Sequence, residues 1–185
     1  MGKTTAKSPL LIRKFADDGA VAGGFQKINE QLSKDDQLLF DRLRPEAWVD
    51  YGFYFRLLEA GALAAGLAPE RFAEDFGIFQ AEHDTRLLHR TALRLGGPGI
   101  MIMEADQIWR RYHDTGHLKV FGVLPTAAMA RVEGLEGGGP LLCSVLRGFL
   151  ATGLQLTGVK MVRVVHGKCR FRGDGSCEYS GTWTK

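Results

Sequence analysis

The chain has 185 residues, of which 45% are hydrophobic and 24% charged, with a net charge of +3. These values suit one folded domain with a real core and exclude a disordered chain. The charge is too small and too evenly spread for a nucleic-acid binder, and no apolar run reaches the roughly 18 residues of a membrane-spanning helix.

Residues 1–16 are basic and lack the long apolar stretch and cleavage pattern of a leader. They read as a mobile N-terminal arm, and a cytoplasmic location is expected. Ala6 stands where a myristoylation signal needs Ser or Thr, and "GKTT" lacks the upstream glycine and strand of a phosphate loop. Phe25, Ile28 and Leu32 share one face of a short helix. Ser33 and Asp36 form a variant capping box that opens a second helix through Leu43. Pro45 is placed to begin a long helix, with Trp48, Tyr51, Phe55, Leu58 and Ala62 as its apolar stripe and Gly66 as its stop. Pro69 opens another, carrying Phe72, Phe76 and Phe79 toward Leu95, and Gly96, Gly97, Pro98 and Gly99 break it. Residues 100–116 read as one more helix, ended by Gly116.

The texture changes near residue 117. Residues 117–125 and 126–134 read as strands. Pro140 opens a late helix closed by Gly158, in which Ser144, Gly148 and Ala151 form a small-residue stripe that permits close packing. Residues 159–165 read as a strand and 169–183 as a hairpin. Within the hairpin Cys177, Tyr179, Gly181 and Trp183 alternate with polar residues, as in a half-buried strand. The expected fold is α+β: a single domain over 17–185, with N-terminal helices (17–116) packed on a C-terminal antiparallel sheet (117–185) that carries one late helix.

The sequence has three cysteines, an odd number that favours free thiols or a metal over a disulfide framework. Cys143 lies in the first turn of the late helix. His166 and Cys169 lie at the end of the next strand, and Cys177 follows a turn around Gly173 and Gly175. If helix and strand run back-to-back, the four residues converge as the Cys3His set of a closed zinc site. The spacing alone leaves a Cys169–Cys177 disulfide and an ordinary turn open as well.

From Pro140 to Trp183 the sequence resembles the 4-vinyl-reductase-type domain, especially the sensor domain of phenol-responsive activators. The shared pattern is a cysteine at a helix start, Gly148–Phe149, Thr157–Gly158, a strand, a second cysteine, a Gly-Asp turn and a third cysteine. A family of similar length from myxobacteria shares the Trp-Tyr helix and this ending. The resemblance implies structural zinc on Cys143, Cys169 and Cys177, with His166 in the place of the sensors' Glu. It implies no haem, because the Tyr-x-Ser-x-Arg motif of the superfamily's haem branch is absent. A phenol is not the expected ligand, since Gly122 stands where the sensors' pocket Trp would fall.

A pocket between helices and sheet is expected to draw on Phe76, Phe79, His89, Trp109, Tyr112 and Phe121, each of which is first a core residue. Glu82, His83, Asp84 and His89 share one helix, and His113 and His117 are four apart. Such groups on a polar face are ordinarily solvated, so no catalytic constellation is read. The Trp48–Ala62 stripe and the Phe-rich helix offer more apolar surface than one sheet face needs, so a homodimer through the N-terminal helices is expected. The leading functional expectation is a stand-alone sensor or carrier of an apolar small molecule. A ligand-free dimeric interaction module and a vinyl reductase or its accessory follow. An apolar cavity would favour the first and a filled core with an exposed apolar helix face the second.

Overall fold

A computed structural model describes residues 2–87 and 90–184, without the side chains of 85–87 and 90–92. Seven α-helices and six strands are formed by these residues. In order they are β1 (Lys3–Thr5), α1 (Lys7–Phe15), α2 (Phe25–Asn29), α3 (Lys34–Asp41), β2 (Trp48–Asp50), α4 (Tyr51–Ala65), α5 (Pro69–Leu87) and α6 (Arg90–Arg110). Then come β3 (His117–Leu124), β4 (Ala127–Glu133), α7 (Pro140–Leu156), β5 (Lys160–Lys168) and β6 (Cys177–Thr184). The four C-terminal strands form an antiparallel sheet in the order β3-β4-β6-β5. The expected α+β class is therefore observed.

Local chemistry explains the boundaries. Ser33 accepts a hydrogen bond from the Asp36 amide at 3.1 Å and caps α3. Asp50 does the same for α4 through the Phe53 amide at 2.9 Å. The helix expected from Pro45 thus begins later, because Trp48–Asp50 is claimed by pairing with β1. Gly66, in the left-handed region at φ 67°, ends α4 as expected. The Gly96–Gly99 breaker interrupts the helix where expected, and two helical segments meet across it within α6. The kink is at Gly97, whose φ of 59° suits only glycine, with Pro98 following.

The N-terminal residues are not a mobile arm. Thr4, Ala6 and Ile12 are fully buried, and β1 is stitched to the segment after α6. The Thr5 amide donates to the Tyr112 carbonyl at 2.9 Å, and the Lys3 amide donates to Asp114 Oδ1 at 2.6 Å. His113 closes this seam. Its Nδ1 is hydrogen-bonded to the Tyr51 hydroxyl at 2.8 Å, and its ring lies 4.0 Å from Trp109. Burial lowers the His113 pKa from 6.5 to about 3. The folded-state value lies below the unfolded one, so the seam contributes fully above pH 6.5 and loses stability as pH falls toward 3. One proton separates the two states, so the loss is at most about 1.4 kcal/mol per pH unit. Urea unfolding between pH 7 and 5 is expected to show this slope in the parent and a flatter one in His113→Phe. Equal slopes would contradict it.

The packing does not support the homodimer expectation. Tyr51, Leu58 and Ala62 of the α4 stripe, with Phe72 and Phe76 of α5, are buried in the chain's own core. Trp48, which leaves the helix for β2, is 44% exposed. Most of the stripe that argued for a partner is thus part of the chain's own core.

Helices α5 and α7 cross at unusually close range. A Cβ on Gly77 would stand 2.0 Å from the Val145 carbonyl oxygen, and one on Gly148 would stand 2.2 Å from that of Glu74. Arg147 Nε donates to Glu74 Oε1 across the crossing at 2.9 Å. The small-residue stripe of the late helix thus faces α5.

Candidate functional site

Two places in the fold gather chemistry. The first is the thiol cluster. Gly139 and Pro140 start α7 so that Cys143 lies in its opening turns, where the helix dipole favours a thiolate. Cys169 follows β5, and its amide donates to Asp174 Oδ2 at 2.7 Å. Gly173, at φ 101°, supplies the left-handed turn that returns the chain to Cys177 at the head of β6. His166 pairs with Tyr179 across β5 and β6, and their rings stack at 4.5 Å.

The four ligand atoms of Cys143, His166, Cys169 and Cys177 all lie within 4.8 Å of one another. The Cys143 sulfur is 3.6 Å from that of Cys177 and 4.0 Å from that of Cys169, and all three thiols are free and buried. Sulfur and nitrogen ligands on one tetrahedral zinc stand about 3.5–3.8 Å apart, given bond lengths of about 2.0–2.3 Å. His166 Nε2 is buried without a hydrogen-bond partner, a costly state that a metal bond would relieve. The hydrogen bond between Cys143 and Cys177 splits that pair in opposite directions. A hydrogen bond from the Cys143 thiol, helped by an Arg170 backbone contact and by His166, draws Cys177 down to about 5 against the effect of burial. Cys143 is pushed up by the same bond and by burial. The Tyr179 hydroxyl donates to the Cys143 carbonyl at 3.3 Å, tying the last strand to the helix that carries the cluster.

The second place is a half-open chamber of about 630 Å³ between α1, α5, α6 and α7. Ligand pockets commonly span about 300–1,000 Å³. Helix α1 contributes Lys7, Leu10, Leu11 and Lys14, and α5 contributes Ala81, His83 and Asp84. Helix α6 contributes Leu93, Ile100, Met101, Glu104 and Ile108, followed by Arg111 and Tyr112, while α7 contributes Phe149 and Gly153. On the polar edge the Tyr112 hydroxyl donates to Asp84, while His83 Nδ1, 3.7 Å from the same carboxylate, is buried without a hydrogen-bond partner. Burial raises the Asp84 pKa against the opposing Tyr112 hydrogen bond.

The sequence-based pocket residues are scattered. Tyr112 lines the chamber. Phe76 is fully buried core, Phe79 packs 5.1 Å from Phe15, and Trp109 is buried with its Nε1 donating to the Thr115 carbonyl. Phe121 lies under Arg131 on the sheet, and His89 lies outside the described residues. The chamber's α1 wall was not foreseen, although Leu10 and Leu11 between Lys7 and Lys14 carry a helical amphipathic pattern.

No family model matches the sequence, and no curated protein does. Solved structures do match the fold. An H-NOX protein of Shewanella oneidensis, a triple mutant in the Fe(II) ligation state, aligns with a TM-score of 0.74 over 98% of this chain and 96% of its own at 13% identity. The same organism's protein in the Fe(II)NO state aligns at 0.68, with 97% and 96% coverage and 13% identity. A mutant H-NOX of T. tengcongensis aligns at 0.68, with 96% of each chain covered and 13% identity. At such identities the match shows fold alone: the chain has the H-NOX fold.

Two expectations are corrected by this finding. The chain's structural likeness is to H-NOX domains, not to the 4-vinyl-reductase-type sensors. The cysteine pattern that carried the earlier resemblance occupies one corner of the sheet and α7, whereas the whole helix order follows H-NOX. The expectation of no haem falls with it, since the matched structures carry Fe(II) or concern haem distortion. The missing Tyr-x-Ser-x-Arg motif excludes one way of holding a haem, not the group itself. The chamber's own residues fit such a group in kind. The walls are apolar, His83 supplies an imidazole whose Nδ1 is already near a carboxylate, and Lys7, Lys14 and Arg111 can meet acidic groups.

Proposed function

We propose that this chain is a sensor or carrier domain that holds an apolar small molecule in the α1–α5–α6–α7 chamber and a structural zinc ion at the Cys143–His166–Cys169–Cys177 cluster. The chamber carries this reading. A packed domain of this size has no structural need for a mostly apolar void of about 630 Å³, because interiors are otherwise close-packed.

A haem is the ligand class suggested by the matched structures. His83 would hold its metal through Nε2, Asp84 would orient the ring, and the three cations would meet its acidic groups. When bound, a haem supplies an iron centre for diatomic gases. The chain's part is to exclude bulk water with Leu10, Ile100, Ile108 and Phe149 and to set the polarity around the imidazole. Three free thiols suit a reducing, cytoplasmic setting. No helix among the described residues is long and apolar enough to cross a membrane. The zinc position is closed, with all four ligands from the protein, so binding rather than catalysis is the role assigned to both sites.

Titration of the full chain with hemin tests the ligand reading. A saturable Soret band at one equivalent is expected, with a shifted band and at least ten-fold weaker binding in His83→Ala. An unsaturable, unshifted spectrum in the parent would remove haem from the account. A parent that also fails to take up a neutral apolar fluorophore would remove the chamber.

A further inference from the structure

Resting on the reading of the chamber as a ligand site, we propose that it selects apolar ligands bearing a carboxylate, which Lys7, Lys14 and Arg111 hold at its mouth. While Ser8, Pro9 and Ile12 face the core, Lys7, Leu10, Leu11 and Lys14 of α1 line the chamber. The two leucines lie on the apolar wall and the two cations bracket them, about 10.5 Å apart along the helix for a spacing of seven residues. Arg111, just beyond the end of α6, adds a third cation to the lining.

An anion is favoured by which of these charges are already committed, not by a net excess of cations. Two acids, Asp84 and Glu104, also line the chamber. Asp84 is engaged: it accepts the Tyr112 hydroxyl hydrogen bond and faces His83. Lys14 is paired with Asp18 at 3.0 Å, but both side chains are nearly half exposed. Such a surface pair is worth about 0–1 kcal/mol and yields readily to a new partner. Lys7 makes no salt bridge among the described residues, and Arg111 acts on Asp84 through space without closing one. An aliphatic or planar body buried against Leu10, Leu11, Ile108 and Phe149 would leave its acidic end among these cations. Charge-assisted hydrogen bonds form there, and lysine stems cover apolar surface while their heads stay wet.

The chemistry is shared by a free long-chain acid and by the acidic side chains of a tetrapyrrole, and the experiment separates them. Calorimetric titrations of the full chain would use dodecanoic acid and its methyl ester, and protoporphyrin and its dimethyl ester. At least one acid is expected to bind ten-fold or more tightly than its ester, and which acid does so names the source. The Lys7→Ala/Lys14→Ala/Arg111→Ala variant should keep the parent's melting temperature and lose the preference for acid over ester. Lys7→Arg should retain it. Acid and ester binding equally would overturn the proposal and leave the chamber reading standing. Persistence of the acid preference in the triple variant would also overturn it. Failure of every acid and ester to bind would overturn both.

Discussion

Cys177→Ser should release the bound metal and lower the melting temperature of the full chain by about 10 °C or more. Structural zinc contributes on the order of 10 kcal/mol to small units that depend on it. For a domain of this size, each kcal/mol lost shifts the midpoint by about 2–4 °C. Even partial retention of the sheet leaves a large effect, because Cys177 heads β6, the strand that pairs with both β4 and β5. Detaching it frees Tyr179 from the Cys143 carbonyl and loosens the buried Trp183. His166→Glu should be far milder, since carboxylate is an accepted zinc ligand and the closed coordination survives. Thermal unfolding with zinc quantified on the same samples checks both variants. A Cys177→Ser protein that melts with the parent would contradict a structural role for the cluster.

The second large effect belongs to the helix crossing. Gly148→Ala should destabilise the chain by about 3 kcal/mol or more, at the upper end of the cost of overpacking. The atom that an added methyl meets is the Glu74 backbone oxygen at 2.2 Å, which cannot rotate away as a side chain could. The helices must separate, and Arg147 and Glu74 lose their alignment. Helix α7 also carries Phe149 and Gly153 into the chamber, so ligand affinity should fall in parallel. Gly167→Ala, where nothing lies within 4 Å of the added carbon, is the control and should change stability by no more than about 0.5 kcal/mol. Urea denaturation of both variants gives the comparison, and equal midpoints would refute the packing argument.

Much of the C-terminal half was legible because its signals are local. Pro140, the alternation through Cys177, Tyr179, Gly181 and Trp183, and the glycine at 173 each dictate backbone conformation without help from distant residues. The convergence of Cys143, His166, Cys169 and Cys177 could be framed as a hypothesis from spacing, because α7 and β5 form one crossover. The chamber could not. Its walls come from four helices, and the first of them lay in a stretch that reads as an arm because β1 is only three residues long and finds its partner 45 residues later. Aromatic residues were poor guides to it. Phe76 and Trp109 fill the core, while the chamber is lined largely by aliphatic side chains and by cations whose role appears only in three dimensions. The H-NOX fold was illegible for the same reason. The order of helices carries it at 13% identity, and no short motif does.

Native mass spectrometry of the full chain, purified without added metal or ligand, tests the central claim most directly. The account predicts one zinc ion per chain, together with an acidic small molecule that dissociates on gentle activation while the zinc stays. A mass equal to the bare polypeptide, from protein that remains folded and takes up neither zinc nor an apolar acid afterwards, would contradict it.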